Sequence, residues 1–217
     1  QGADLVIADN LYMYGDPDGA VITETSPQNP TTKKGRVRKA MADAALEAHR
    51  DGRLRVAISR PSDYFGPGHD QSSRATFGNA VRGKAMQFFG RTDQPHTLSY
   101  IVDAARAMAT LGTTDAGWGS VWIPPAQPAI TQREFAERVW AAAGNTGKPR
   151  MSVAGRRTIG LVGLVVPIVR EFGEMGYLYE KPFVVDSSHF ESTFGVSATP
   201  YDDAIAATIE HYRTHRA

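Results

Sequence analysis

Two short apolar runs rich in β-branched residues bracket a helical pattern, and that order constrains the fold more than any other feature of the chain. Ala3-Asp-Leu-Val-Ile-Ala8 reads as a buried strand and Leu54-Arg-Val-Ala-Ile58 as a second. Between them Val37, Ala40, Met41, Ala44, Ala45 and Ala48 recur at helical spacing, which predicts an amphipathic helix over residues 36–50 with Lys39 in its first turn and Gly52 at its end. Gly15-Asp-Pro-Asp-Gly19 is a turn. Ser26-Pro27 through Pro30 is an extended loop, because proline biases the residue before it away from helix. Strand, helix, strand is the repeating unit of an α/β fold, whose ligands lie beyond the carboxyl ends of the strands. Asn10 and the loop Arg60–Gly68, which follow the two strands, are therefore expected to face one crevice.

Composition narrows the class without choosing a function. A chain of 217 residues with 41% apolar and 22% charged side chains is long enough for a sizeable core in one large or two small domains. With 24 basic and 23 acidic side chains, an overall polyanion-binding role is not expected. Cysteine is absent, which excludes disulfides, thiolate metal sites and a cysteine nucleophile and fits a reducing, cytoplasmic setting. The most apolar run, Ile159–Val169, is too short to cross a bilayer and contains Pro167, so no membrane role is expected. It reads as a buried helix or a helix lining a substrate cavity, with Gly160 and Gly163 permitting close packing.

Several motifs, in a fixed order, resemble the extended short-chain dehydrogenase/reductases of the NAD-dependent epimerase/dehydratase kind. In that family a strand leads into Ser-Ser-x-x-Val-Tyr-Gly and a helix opens with Tyr-x-x-x-Lys. Setting Met13-Tyr14-Gly15 on the first motif puts Asn10 at the catalytic serine, and setting Lys39 on the second puts Gly35 at the catalytic tyrosine. Arg60-Pro-Ser-Asp-Tyr-Phe-Gly-Pro-Gly68 matches the family's Arg-x-x-x-x-(Tyr/Phe)-Gly-Pro-Gly segment, and Leu98–Asp103 its strand-Asp-helix segment. The implied fold is α/β: the C-terminal part of a Rossmann-like doubly wound parallel sheet with a small, mostly helical substrate domain. Residues 1–125 would be the Rossmann-like remainder, with excursions over 68–97, and 126–217 mainly the substrate subdomain and closing helix.

The resemblance also implies roles. Moving hydride to or from a carbinol needs a proton carrier, a donor that holds the oxygen and a cation that lowers the carrier's pKa. Glycine supplies none of these. Asn10 can still orient a substrate oxygen through its amide, and Lys39 would hold the nicotinamide ribose. Pro61, Ser62 and Asp63 would border the nicotinamide; Tyr12, Arg36 and Tyr64 would meet a small-molecule substrate. Tyr12 is the candidate for the missing acid/base, since residues two apart at a strand end point to one side and it would share a face with Asn10. The alternative is a tyrosine packed under the following loop with its hydroxyl satisfied.

The cofactor expected for the full-length protein is NAD or NADP. The glycine-rich turn that seats the pyrophosphate would precede Gln1, and the nearest pattern within the chain, Gly66-Pro67-Gly68, lacks a third glycine at Gln71. Residues 1–217 alone are therefore expected to bind dinucleotide poorly. A homodimer through the long helices is among the assemblies the resemblance allows. A second function is a non-catalytic sensor or scaffold using the same crevice, favoured by the loss of both the serine and the tyrosine.

Other signals have simpler explanations. Lys33–Lys39 holds five basic residues in seven, but no aromatic platform is interleaved, so no nucleic-acid role is expected; Lys33 and Lys34 read as a solvated loop. His211 and His215 lack a third ligand nearby, and His69-Asp70 reads as an exposed loop pair. Thr131-Gln-Arg-Glu134 and Ser188-His-Phe-Glu191 have the form of capping boxes, the latter before a helix ending at Gly195. Asp103 reads as an N-cap, and Pro200 as the first residue of the last helix.

Overall fold

The computed structural model describes residues 3–69, 71–155 and 175–215; the apolar run Ile159–Val169 and Asp70 lie outside them. The chain divides into two compact units. One comprises Gln1–Tyr64, Leu98–Gln127 and Val184–Ala198, the other Phe65–Thr97, Pro128–Phe183 and Thr199–Ala217.

The first unit is built on a parallel sheet. Strand β1, Asp4–Ala8, pairs with β2, Arg55–Ser59, which pairs in turn with Val121–Trp122. Parallel pairing needs long crossovers, and the helix between β1 and β2 supplies one. Strand β2 is buried on both faces. Val56 and Ile58 join Ala42 in one cluster, while Ala57 joins Ala107, Leu111, Trp122 and Phe190 in the other. Because strand side chains alternate, this two-sided burial is the mark of a sheet covered by helices on both faces. The α/β expectation holds. Strand β1 itself is only partly covered, with Leu5 exposed and Val6 and Ile7 half-buried, rather than the buried strand its composition suggests.

Helix α1, Lys33–Arg50, begins three residues before the expected start at 36, because the Thr32 hydroxyl accepts the Gly35 amide and caps the first turn. Lys39 therefore lies beyond the first turn. The buried face matches the predicted one only in part, at Ala45. Val37 and Met41 are 51% and 57% exposed, whereas Ala42, with Ala45 and Leu46 beside it, packs on Val56 and Ile58. Periodicity counts Val and Met as core-seeking, but small side chains let the helix axis come closer to the sheet.

Helix Ile101–Thr113 covers the opposite face through Ala107 and Leu111. Asp103 is not its N-cap: Tyr100 occupies that place, and the buried Asp103 carboxylate in the first turn accepts from Arg106 at 2.8 Å. In Ser188–Phe194 the predicted box does not form either. The N-cap is Ser187, whose hydroxyl donates to Glu191 at 2.7 Å, and the helix ends on Gly195 in the left-handed conformation.

The second unit is held by aromatic packing. Phe65, Phe77, Phe135, Tyr201 and Tyr212 form a continuous set of ring contacts, with Phe65 and Phe135 edge-to-face at 5.2 Å. Two small sheets accompany it, Met86–Phe89 parallel to Met151–Ala154 and Pro95–His96 antiparallel to Ile130–Thr131. Thr131 and Glu134 complete the expected capping box of Gln132–Ala142. In the final helix, Tyr201–Thr214, Pro200 is the N-cap and not the first helical residue. No helix among the described residues is long and apolar enough to cross a membrane.

Candidate functional site

The site is assembled at the carboxyl ends of β1 and β2. Ala8 and Ser59 are partners in the parallel register, so the next residues, Asp9 and Arg60, meet directly. Arg60 Nε donates to Asp9 Oδ2 at 3.1 Å, with the two side chains 0% and 4% exposed. Arg60 Nη1 donates to the Tyr14 hydroxyl at 3.1 Å, and its guanidinium lies over the Tyr14 ring. Tyr14 is held in turn by a bond from its hydroxyl to the Glu24 carbonyl at 3.4 Å. Burial raises the pKa of Tyr14, and the adjacent Arg60 only partly offsets that, so Tyr14 stays a neutral buttress.

Beyond Ala8 the chain leaves strand geometry. Tyr12–Tyr14 is one turn of 3₁₀ helix, fastened by the Tyr12 amide donating to Asn10 Oδ1 at 3.1 Å. Alternation therefore does not govern which way Tyr12 points, and its grouping with Asn10 rests on this turn instead. Leu11, Met13 and Tyr14 are buried; Tyr12 is the one residue of that turn left half-buried. Burial, then the charge of Asp63, raises the Tyr12 pKa above the ordinary tyrosine value, while the Arg38 charge lowers it. Asn10 spends its oxygen on the turn, which leaves the amide NH2 as the group able to hold a ligand oxygen.

Gly35 fills a position that tolerates no side chain. A Cβ there would stand 2.5 Å from the Tyr12 carbonyl oxygen and 2.8 Å from Pro30 Cβ. One turn later Arg38 Nη1 comes within 3.9 Å of Asp9 Oδ1. Lys39 Nζ pairs with the exposed Asp43 at 2.7 Å, and Arg36 turns back to the Thr31 carbonyl at 2.8 Å in an exposed bond. Asn10 and Tyr12 are thus brought together, with the charge of Asp63 felt at Tyr12, whereas Arg36 is not drawn in. Pro61 and Ser62 are buried, and the Ser62 amide donates to Ser99 Oγ at 2.9 Å; Tyr64 is half-buried, and burial raises its pKa. Sequence reasoning passed over Arg38, Asp9 and Arg60. The signal was available: opposite charges follow the two runs, Asp9 after Ala8 and Arg60 after Ile58 and Ser59, at places a parallel register brings side by side.

Residues 5–120 match the NAD dependent epimerase/dehydratase family, more than half of the chain. The chain belongs to that family. No curated protein sequence matches it. Among solved structures it resembles UDP-glucuronic acid 4-epimerase from Bacillus cereus in complex with NAD at 13% identity and a TM-score of 0.72, over 96% of this chain and 61% of that one. A dTDP-glucose 4,6-dehydratase from Bacillus anthracis in complex with NAD matches at 15% identity and 0.74, over 98% and 62%. RMD from Pseudomonas aeruginosa complexed with NADPH matches at 15% and 0.71, over 96% and 65%. At such identities the likeness is one of fold. The chain spans 61% to 65% of the length of these structures.

This epimerase/dehydratase-family chain has a donor set that fits the nicotinamide end of NAD(P). Ser59 Oγ, Ser62 Oγ and Arg60 Nη2 are buried and have no hydrogen-bond partner among the described residues. Buried polar atoms are ordinarily paired, so a group that both donates and accepts, such as a carboxamide, suits them.

Proposed function

We propose that this chain is part of an NAD(P)-dependent epimerase, dehydratase or reductase acting on a hydroxyl or carbonyl of a small, possibly nucleotide-linked, sugar-like substrate. The observation that carries this reading is the half-buried Tyr12, which the Asn10 side chain fastens at its amide just beyond the carboxyl end of β1. When bound, the nicotinamide supplies hydride transfer. The residues of the chain do the rest. Ser62 with Pro61 and Asp63 borders the ring, and Lys39 holds the ribose. Its present ion pair with Asp43 is exposed and worth only about 0–1 kcal/mol, so it exchanges readily for sugar hydroxyls. Asn10 holds the substrate oxygen through its amide, and the Tyr12 hydroxyl moves the proton in place of the tyrosine that Gly35 replaces. Tyr64 borders the substrate, and Arg36 meets its anionic groups only by leaving the Thr31 carbonyl.

The test is the full-length protein incubated with NAD(P)H and a panel of sugar-derived carbonyls. Cofactor oxidation is expected, with Tyr12→Phe lowering kcat at least 100-fold, in line with the roughly 10²–10⁴-fold worth of general acid–base catalysis. Unchanged turnover in Tyr12→Phe would remove Tyr12 from the mechanism. A second reading is a sensor that binds a metabolite without converting it, and it is favoured by the packing at Gly35, which closes the position of the family's acid/base. That reading predicts ligand-induced thermal stabilisation with no turnover.

A further inference from the structure

Exposed arginines in several parts of the chain meet a carboxylate: Arg53 meets Asp51, Arg91 meets Asp93, Arg138 meets Asp202 and Arg213 meets Glu210. One group in the second unit does not. Arg74, Arg82, Lys84, Lys148 and Arg150 are all exposed, and among the described residues their side chains bond only to neutral groups or to none. The sequence accounts for this. Gln71–Thr92 holds no Asp or Glu, and neither does Arg138–Gly155. Those are the stretches that the parallel strands Met86–Phe89 and Met151–Ala154 bring side by side.

Hydrogen bonds gather the five cations around one turn at the amino ends of these strands. The Lys84 amide donates to the Asn79 carbonyl at 2.8 Å, which closes the turn. Arg82 Nη2 donates to Asn79 Oδ1 at 2.9 Å, and Arg150 Nη1 donates to the Gly83 carbonyl at 3.1 Å. Lys148 lies on the connection from Asn145 to Arg150, and both ends of that connection are fastened here. Asn145 Nδ2 donates to the Ala80 carbonyl at 2.8 Å, and the Arg150 carbonyl accepts the Met86 amide at 2.9 Å. Arg74 arrives along the helix: a Cβ on Gly78 would stand 3.5 Å from both Arg74 Cγ and Arg82 Nη2. Arg82 and Arg150 each spend one donor on a neutral acceptor, which fixes the guanidinium and leaves the rest of its fork for a ligand.

We infer that this cluster is a binding site for a compact ligand carrying two or more phosphate groups. Like charges gathered on one turn repel each other, and an anion set among them relieves that repulsion. Guanidinium forks match phosphate oxygens in pairs, and the two lysines add point charges beside them. The ligand is compact because the cations sit on one turn and on the segments bonded to it. Single-stranded nucleic acid would also need aromatic side chains for its bases to stack on, and neither Asn79–Lys84 nor Asn145–Arg150 contains one. None of these residues belongs to the site at the carboxyl ends of β1 and β2, so the assignment stands apart from the enzymatic reading.

The experiment titrates full-length protein, saturated with NAD(H), calorimetrically with inorganic tripolyphosphate at low salt, and with inorganic phosphate for comparison. Saturable binding of tripolyphosphate is expected, weaker binding of phosphate, and a loss of affinity as salt screens the exposed charges. The double variant Arg82→Gln with Arg150→Gln should bind about tenfold more weakly, since each arginine gives up a charge-assisted bond. Arg91→Gln, which removes an exposed cation paired with Asp93, should bind as wild type does. Melting temperatures confirm that the variants fold, and Lys84→Gln with Lys148→Gln replaces the arginine pair if it does not. Absence of saturable binding would overturn the assignment, as would an equal loss in Arg91→Gln. So would binding seen only without NAD(H), which would put the probe in the cofactor site. Tighter capture of phosphatidylserine vesicles or duplex RNA than of tripolyphosphate would overturn it too, making the cluster a surface for a bilayer or a polymer.

Discussion

Asp9 and Arg60 meet with almost no access to water, and a carboxylate and a guanidinium taken out of solvent depend on each other. Asp9→Asn leaves the Arg60 charge uncompensated in the interior and is expected to destabilise the fold by about 3–5 kcal/mol. The urea midpoint of the variant, read against wild type, checks this. Gly35 sets a second limit. Alanine in a helix gains about 1 kcal/mol over glycine, but here the new methyl meets a backbone carbonyl that cannot rotate away, and overpacking costs about 1–3 kcal/mol. Gly35→Ala is therefore expected to lower the melting temperature. A rise would show that the turn after β1 yields easily.

Helix α1 shows how an element can be right in kind and wrong in orientation. Its existence was legible from spacing, because six apolar positions recur along it. Its buried side was not, because periodicity ranks residues by hydrophobicity, whereas the sheet selected the alanine side that permits close approach. Met41→Glu is accordingly expected to change stability by no more than about 0.5 kcal/mol, as for other exposed positions, while Ala42→Leu costs about 1–3 kcal/mol. Thermal denaturation of the two variants decides which face is buried. Capping chemistry is local, yet of the expected helix starts only the box at Thr131 forms, while Asp103 and Pro200 take other positions. Thr131 and Glu134 satisfy each other's amides as the sequence pattern requires, and Thr131→Ala is expected to cost about 1 kcal/mol, measurable as a fall in melting temperature. The box at Ser188 failed because Ser187 took the cap and Glu191 bonded to it instead of to the backbone.

For the molecule as a whole, the first unit carries Tyr12, Tyr14, Tyr64 and Tyr100 with pKa values raised above the ordinary 10.0, burial being the largest cause for each. The folded chain thus keeps protons that the unfolded chain releases. The stabilisation is fully present below about 10 and is lost as pH rises through the raised values. Denaturant titrations at increasing pH should show the unfolding midpoint falling steeply above about 10 and little changed just below it. A midpoint flat through that range would mean these hydroxyls ionise without regard to the fold.

What the sequence determined by itself was whatever depends on neighbours along the chain. The two strands and the helix between them follow from spacing and from local turn chemistry, and the doubly wound α/β class follows from the resemblance of ordered motifs to the epimerase/dehydratase family. The tertiary structure decided which charges meet and which space is filled. Asp9 finds Arg60 only because β1 and β2 are parallel and in register, and Arg38 rather than Lys39 turns toward that pair because of how α1 is rotated on the sheet. Gly35 shows the difference most plainly. In sequence it reads as a lost catalytic group, and in the fold it is the point where the helix and the Tyr12 turn touch. Contacts between residues far apart in the chain are set by packing, which no single stretch of sequence encodes alone.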